Sequence, residues 1–403
     1  MFRLNRAISA CILASALLPT VAAQAATYYV ATTGNNSSSG TSSQPWRTVA
    51  YAAAKMVAGD TTYVKGGVYS EGLVRFNKSG TSSAPIKLLN APGAFPVISC
   101  KPPANGVYPM VLLSAGTGRV ALGWITIEGF EVRNCHDGIK FKNLHNSTIR
   151  RNWIHHNRAN GIFGNGTKIV IDRNKINDNA GSHGIYTNGS YYTVTNNLIY
   201  ANAKYGIQLN GSSTSTYNSS LQPGPEYANS YNWTISNNTI AYGRAASGMV
   251  VWGSTCNNAR IENNIFYENG VSSTSAGAQG INFISTTCKE IVIRNNLAYA
   301  SGSGATKFLG TGATKGVHYT ESGNISNTLK PNFVNAPATL PSSPNFALTS
   351  GSPAIDNGLS LSSTKISYAG TTRPKLSAYD MGAYEYAGSS TALAAPTSLQ
   401  VMN

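Results

Sequence analysis

His183, Tyr186, Lys204 and Tyr205 stand within 23 positions of one another, and Lys140, Lys142 and Arg158 precede them at similar steps. Lysine or histidine can take a proton from carbon, and tyrosine can give one to a departing oxygen. Lysine, arginine, asparagine and glutamine can hold a carboxylate while charge builds beside it. Hydrolysis of a glycosidic bond instead needs two carboxyl groups flanking the bond. Beside these residues only Asp137 is available, with Asp178 in a nearby turn and Glu226 in a long loop. Hydrolysis is therefore disfavoured but stays open.

These residues need a scaffold that brings such steps into line. From about residue 119 to 300 one theme recurs: an apolar-alternating strand, an Asn, a second strand, then Gly and a third strand. The Asn can be followed as Asn152, Asn174, Asn197, Asn238, Asn264 and Asn296. The Gly-led strand can be followed from Gly138, Gly161, Gly184, Gly206, Gly248 and Gly280, with the excess length of the later steps in loops such as 212–232. Three short strands per 22–23 residues cannot bury a face alone, but stacked coils can. The pattern predicts an all-β parallel solenoid in which the Asn residues stack as a ladder and satisfy one another. A leucine-rich repeat also uses a periodic Asn, but its leucine framework is missing here.

Strand alternation then fixes side-chain directions. Ile139, Ile162, Ile185, Ile207, Met249 and Ile281 should point inward. The residue after each should point outward, giving a column of Lys140, Phe163, Tyr186, Gln208, Val250 and Asn282. A second outward column is expected at Lys142, Asn165, Asn188, Asn210, Trp252 and Ile284. The turns add His136, Asp137, Arg158, Asn160, His183, Lys204 and Tyr205. His155 and His156 fall on another sheet and read as structural.

Composition bounds the rest. The 403 residues carry 30 Lys and Arg against 15 Asp and Glu, a formal charge of +15, yet only 11% are charged. Abundant Gly, Ser, Thr and Asn argue against a helical protein, and the surplus of positive charge points to an acidic partner. Arg3 and Arg6 precede the apolar run 7–23, which ends in Ala23-Gln24-Ala25. This reads as a signal peptide over 1–25, cleaved near Ala25, for a secreted or periplasmic protein. Nucleic acid and a membrane are then not the expected partners. Of the remaining cysteines, Cys100 and Cys135 align at an offset of 35, and Cys256 and Cys288 each lie eight residues after a repeat Gly. Neighbouring coils bring such positions within disulfide reach, so the expected bonds are Cys100–Cys135 and Cys256–Cys288, with buried free thiols as the alternative. Residues 26–387 are read as one β-helix domain, with Thr48 to Lys55 as a capping helix and irregular final coils over 301–387. Residues 388–403 read as a disordered tail or linker stub.

The stretch Tyr28-Tyr-Val through Pro45-Trp-Arg-Thr-Val and Asp60-Thr-Thr-Tyr-Val-Lys-Gly-Gly-Val-Tyr69 resembles the start of secreted right-handed parallel β-helix proteins of the pectate-lyase-like superfamily. The ending Ser350-Gly-Ser-Pro-Ala-Ile-Asp356 and Asp380-Met-Gly-Ala-Tyr-Glu-Tyr386 is similar to theirs as well. The resemblance implies a single-stranded right-handed parallel β-helix whose Gly-led sheet borders a polysaccharide groove. It leaves the reaction open, because this fold carries lyases, hydrolases, epimerases and adhesins. On that groove the expected reaction is β-elimination from a uronic-acid polysaccharide by a monomeric polysaccharide lyase. Lys204 is the expected base, with His183 as the alternative, and Tyr186 the acid. Lys140, Lys142 and Arg158 would grip carboxylates, Tyr205 and Trp252 would stack on sugars, and Asn188, Gln208 and Asn210 would bind substrate. Members that use calcium hold it with several Asp. That cluster is missing here, so no cofactor is expected and calcium is disfavoured. A glycoside hydrolase, a C5-epimerase and a non-catalytic carbohydrate-binding β-helix are the alternatives.

Overall fold

Each repeat closes one coil and gives one strand to each of three parallel sheets. The computed structural model describes residues 25–101, 111–113, 121–211, 229–270, 279–300 and 308–388. The expected signal peptide, the tail beyond 388 and Glu226 lie outside the described residues. The first, Gly-led sheet runs from Val74–Arg75 to Leu309–Thr311. The second runs from Thr27–Val30 to Tyr319–Ser322, and the third from Gly67–Glu71 to Ile325–Ser326. Two strands, Ile139–Arg150 and Ile162–Asp172, continue around the corner and serve both the first and second sheets.

The register matches the repeat. Ile139 pairs with Ile162, Ile162 with Ile185, Ile185 with Ile207, Ile207 with Met249 and Met249 with Ile281. All six are fully buried. This apolar stack is the main core and the chief source of stability, since no coil can remove its apolar face from water without its neighbours. The Gly before each strand is required by the spacing of coils. A Cβ on Gly138 would lie 2.6 Å from the Gly161 carbonyl oxygen and against the Ile154 side chain.

The corners are held by asparagine. In the ladder expected from the sequence, the Asn152 amide nitrogen donates to Asn174 Oδ1 at 3.1 Å, and the same bond repeats coil by coil through Asn296 to Asn324. The sequence reading missed a second ladder at the corner between the third and first sheets, where Asn157 donates to Asn179 and Asn179 to Asn202. Each of its members lies five residues after a member of the first ladder, a spacing that would have revealed it. Both expected disulfides are present, each joining neighbouring coils with Cα atoms 4.9 Å apart.

The N-terminal end is covered by the helix Val49–Lys55, whose Val49, Ala52 and Ala53 are buried. Thr48 caps it by accepting from the Tyr51 N–H, and the buried Glu71 carboxylate accepts from the Val49 and Ala50 N–H groups. These bonds satisfy donors that a helix start leaves open. Among the described residues no helix is long and apolar enough to cross a membrane.

The C-terminal part departs from the expectation of further coils. Residues 333–386 fold back over the outer face of the third sheet. Phe346, Leu348, Ala354, Met381 and Tyr384 form a second core there with Leu198, Tyr200, Ile265 and Leu297. A column of asparagines grips this segment. Asn196, Asn237, Asn263 and Asn295 each precede a ladder Asn and adopt positive φ, a conformation Asn tolerates better than most side chains. Asn237 donates to the Asp380 carbonyl, Asn263 to that of Leu359 and Asn295 to that of Asn357.

Candidate functional site

The first outward column stands as the alternation predicts: Lys140, Phe163, Tyr186, Gln208, Val250 and Asn282 are in register. Lys140, Phe163, Tyr186 and Asn282 are partly exposed, whereas Gln208 and Val250 are buried at 7% and 0% exposure. The Phe163 and Tyr186 rings lie 5.3 Å apart, and the Lys140 ammonium sits 5.0 Å above Phe163. Such a contact orients the ammonium along the column.

The second column needs correction. Lys140 pairs with Phe163, 23 residues on, but beyond the bulge Leu144 pairs with Gly166, 22 residues on. The extra residue falls at Lys142, which is pushed out and exposed. Asn143, not Lys142, is therefore the partner of Asn165: its N–H donates to Asn165 Oδ1, and Asn165 Nδ2 donates back to Asn143 Oδ1 at 2.9 Å. Asn165, Asn188 and Asn210 are all buried in that corner and do not face a groove. Trp252 does point outward, 48% exposed.

The turn residues make a connected line. Asp137 is buried. Its Oδ1 accepts from Asn160 Nδ2 at 2.8 Å, and its Oδ2 lies 3.0 Å from His136 Nδ1 and 3.3 Å from the Lys140 ammonium. Asn160 Oδ1 in turn accepts from the His183 N–H at 3.2 Å. His183 Nδ1 accepts from the Tyr205 N–H at 3.3 Å, and its ring stacks on Tyr205 at 5.4 Å and meets Tyr186 edge-on at 5.0 Å. Lys204 and Arg158 are exposed on the same turns.

This geometry revises the role of His183. Burial, and then the neighbouring Lys204 charge, push its pKa from 6.5 down to about 4. A neutral ring whose Nδ1 accepts a backbone bond carries its proton on Nε2. His183 therefore donates at its free nitrogen and is not placed to act as a base. Tyr186 is shifted the other way: burial raises its pKa, so the phenol holds its proton. Of the three carboxylates considered for hydrolysis, the two among the described residues are both engaged. Asp137 lies beneath Lys140, and Asp178 pairs with Arg244 at 2.5 Å in the turn that follows the third-sheet strand Lys175–Asn177. His155 and His156 sit on the third-sheet side, with Nδ1 atoms 2.5 Å apart and His155 Nε2 3.2 Å from Glu131.

The buried His183 sets an expected pH dependence. The unfolded chain binds a proton at this position below pH 6.5, whereas the folded chain does so only near pH 4. Stability is thus fully present above 6.5 and is lost as pH falls toward 4, by about 3 kcal/mol from this group. Urea unfolding at pH 7 and pH 4 checks it. His183→Gln should reduce the drop between the two, and an unchanged drop would refute the assignment.

The family described as "Pel9A-like, right handed beta helix region" matches residues 28–183, and that described as "Periplasmic copper-binding protein (NosD)" matches residues 122–302. Among solved structures, pectate lyase Pel9A aligns with a TM-score of 0.56 at 20% identity, covering 89% of this chain and 96% of its own. The chain is a right-handed parallel β-helix. A protein titled "Glycoside hydrolase" shares the fold with a TM-score of 0.52 at 8% identity, over 74% of this β-helix and 96% of that chain. Among curated proteins, the uncharacterized protein YwoF of Bacillus subtilis (strain 168) is 34% identical over 94 residues. That match covers 23% of this β-helix and spans about a fifth of YwoF, 20% of its length.

Proposed function

We propose that this β-helix is an exported enzyme that cleaves an acidic, uronic-acid-containing polysaccharide by β-elimination. The observation that carries the reading is the convergence of an exposed Lys204, a neutral His183 and a protonated Tyr186 beside the Lys140 column. Lys204 would remove the proton α to the carboxylate. His183 Nε2–H and the cations Lys140, Lys142 and Arg158 would hold the carboxylate as charge develops on it, and Tyr186 would protonate the leaving oxygen. Its likeness to Pel9A supports the fold on which such a groove is built. Two inter-coil disulfides support an oxidising, extracytoplasmic location.

The donor set fits calcium poorly. Calcium takes six to eight oxygen ligands, whereas the described turns of this face offer Asp137, whose oxygens already serve His136, Lys140 and Asn160. Among the described residues no three His, Cys, Asp or Glu side chains converge to hold a metal ion. The elimination is accordingly proposed as metal-independent, and the chelator comparison below tests it.

The test is ultraviolet absorbance of the unsaturated product, with mature protein on alginate, polygalacturonate and glucuronan, each with and without a chelator. Absorbance should rise on one of them and be insensitive to chelator. New reducing ends without absorbance would mean hydrolysis, and uronate inversion without cleavage would mean epimerisation. Loss of the signal with chelator would overturn the metal-independent part.

A further inference from the structure

Six residues stand immediately before the repeat glycines: Asp137, Asn160, His183, Tyr205, Ser247 and Gln279. Four of them hold the backbone of the coil that follows. Asp137 Oδ1 accepts from the Asn160 N–H at 3.3 Å and Asn160 Oδ1 from the His183 N–H at 3.2 Å. His183 Nδ1 accepts from the Tyr205 N–H at 3.3 Å and Ser247 Oγ from the Gln279 N–H at 2.9 Å. An asparagine, a neutral histidine and a serine fill this role without charge. A carboxylate at 137 is more than the corner needs.

What the extra charge reaches is Lys140. Asp137, 1% exposed, places Oδ2 3.3 Å from that ammonium, which also sits 5.0 Å above the Phe163 ring. His136 Nδ1 meets the same oxygen at 3.0 Å. Among the described residues the exposed Lys142, Arg158 and Lys204 form no ion pair, so of these four cations Lys140 alone is anchored by one. Free cations draw in any polyanion, because long-range attraction follows net charge. A cation already fixed at one point favours a polymer whose carboxylate falls at that point, since little ordering remains to be done on binding. The buried negative charge beneath it also weakens its pull on anions that do not fit.

We infer that Asp137 sets the selectivity of this face: by fixing Lys140 it makes the site choose a uronate polymer by where its carboxylates fall, not by charge density alone. Asp137 is a positioning residue that acts through Lys140. This inference rests on the acidic-polysaccharide reading proposed above and adds how one polyanion is chosen over another.

The experiment needs no turnover. Retardation is measured in native gels containing alginate, polygalacturonate, glucuronan or dextran sulfate, a densely charged polyanion without uronates. Wild-type protein should bind one uronate polymer in preference to dextran sulfate. Asp137→Asn keeps the acceptor that Asn160 shows to be sufficient one coil on, and thermal melts confirm its folding. It should lose several-fold in affinity for that uronate polymer and gain several-fold for dextran sulfate. Lys140→Ala should lose the same preference, and adding Asp137→Asn to it should change nothing more. Equal gains on both polymers would mean that Asp137 only subtracts charge, equal losses that it only holds the corner, and an effect persisting without Lys140 that it acts elsewhere. Each of these overturns the inference, as does wild-type protein that binds dextran sulfate as tightly as every uronate polymer. Should Asp137→Asn fail to fold, Lys140→Ala decides, and an unchanged preference overturns the inference. If the preference stands but no unsaturated product forms, the elimination fails and the selectivity survives it.

Discussion

Lys204→Ala and Tyr186→Phe should each lower kcat by about 10²–10⁴-fold, the range for removing a positioned proton-transfer group, with KM changed far less. Both substitutions spare the fold. Lys204 is exposed, so its removal disturbs little packing. Tyr186→Phe keeps the ring that lies 5.3 Å from Phe163 and 5.0 Å from His183, and deletes the hydroxyl alone. Lys140→Ala should act differently, raising KM, because that ammonium contributes charge rather than a transferred proton. Steady-state kinetics on the substrate found by absorbance would read all three. A non-catalytic carbohydrate-binding protein would show no turnover to lose, only a graded fall in affinity. Full kcat in both Lys204→Ala and Tyr186→Phe would remove these residues from the mechanism.

The largest stability loss is expected at Arg373. Its guanidinium is buried and donates to the carbonyl oxygens of Asp380, Gly382, Ala383 and Tyr384, and to the Glu385 carboxylate at 2.5 Å. Arg373→Ala leaves Glu385 charged in a site with almost no water, which costs about 3–5 kcal/mol. Arg373→Lys should recover only part of it, because an ammonium cannot reproduce the planar set of donors. Denaturant unfolding of the three proteins checks this. A loss under 1 kcal/mol for the alanine variant, the size of an exposed pair, would mean that the buried pair does not hold the C-terminal segment.

What the sequence made legible follows from what is periodic. The inward Ile column, the Asn152 to Asn296 ladder and the two cysteine pairs repeat at coil spacing, and all stand where that spacing puts them. The outward column from Lys140 to Asn282 was legible for the same reason. Errors arose where the period slips or where distant segments meet. One extra residue at Lys142 moved Asn143 into line with Asn165, and the second expected column turned into a buried corner at Asn165, Asn188 and Asn210. The return of residues 333–386 over the third sheet was likewise missed. Its trace was the doublets Asn196-Asn197, Asn237-Asn238, Asn263-Asn264 and Asn295-Asn296, in which the second member builds the ladder and the first, at positive φ, grips the returning chain.

That returning segment also bears on the order in which the molecule is assembled. Within the first coils, ladder bonds join residues 22 or 23 apart, so each coil can dock on the one before it as soon as it is made. Arg373 instead reaches Asn196, 177 residues back, and Asn237 waits for Asp380, 143 residues ahead. The growing solenoid therefore passes through a stage in which its coils are stacked but the outer face of its third sheet is bare, with Leu198, Tyr200, Ile265 and Leu297 exposed to any other apolar chain. The segment that covers this surface is synthesised after the coils it covers, and a chain cut short before Arg373 would keep its stacked coils and lose its protection against sticking to its neighbours.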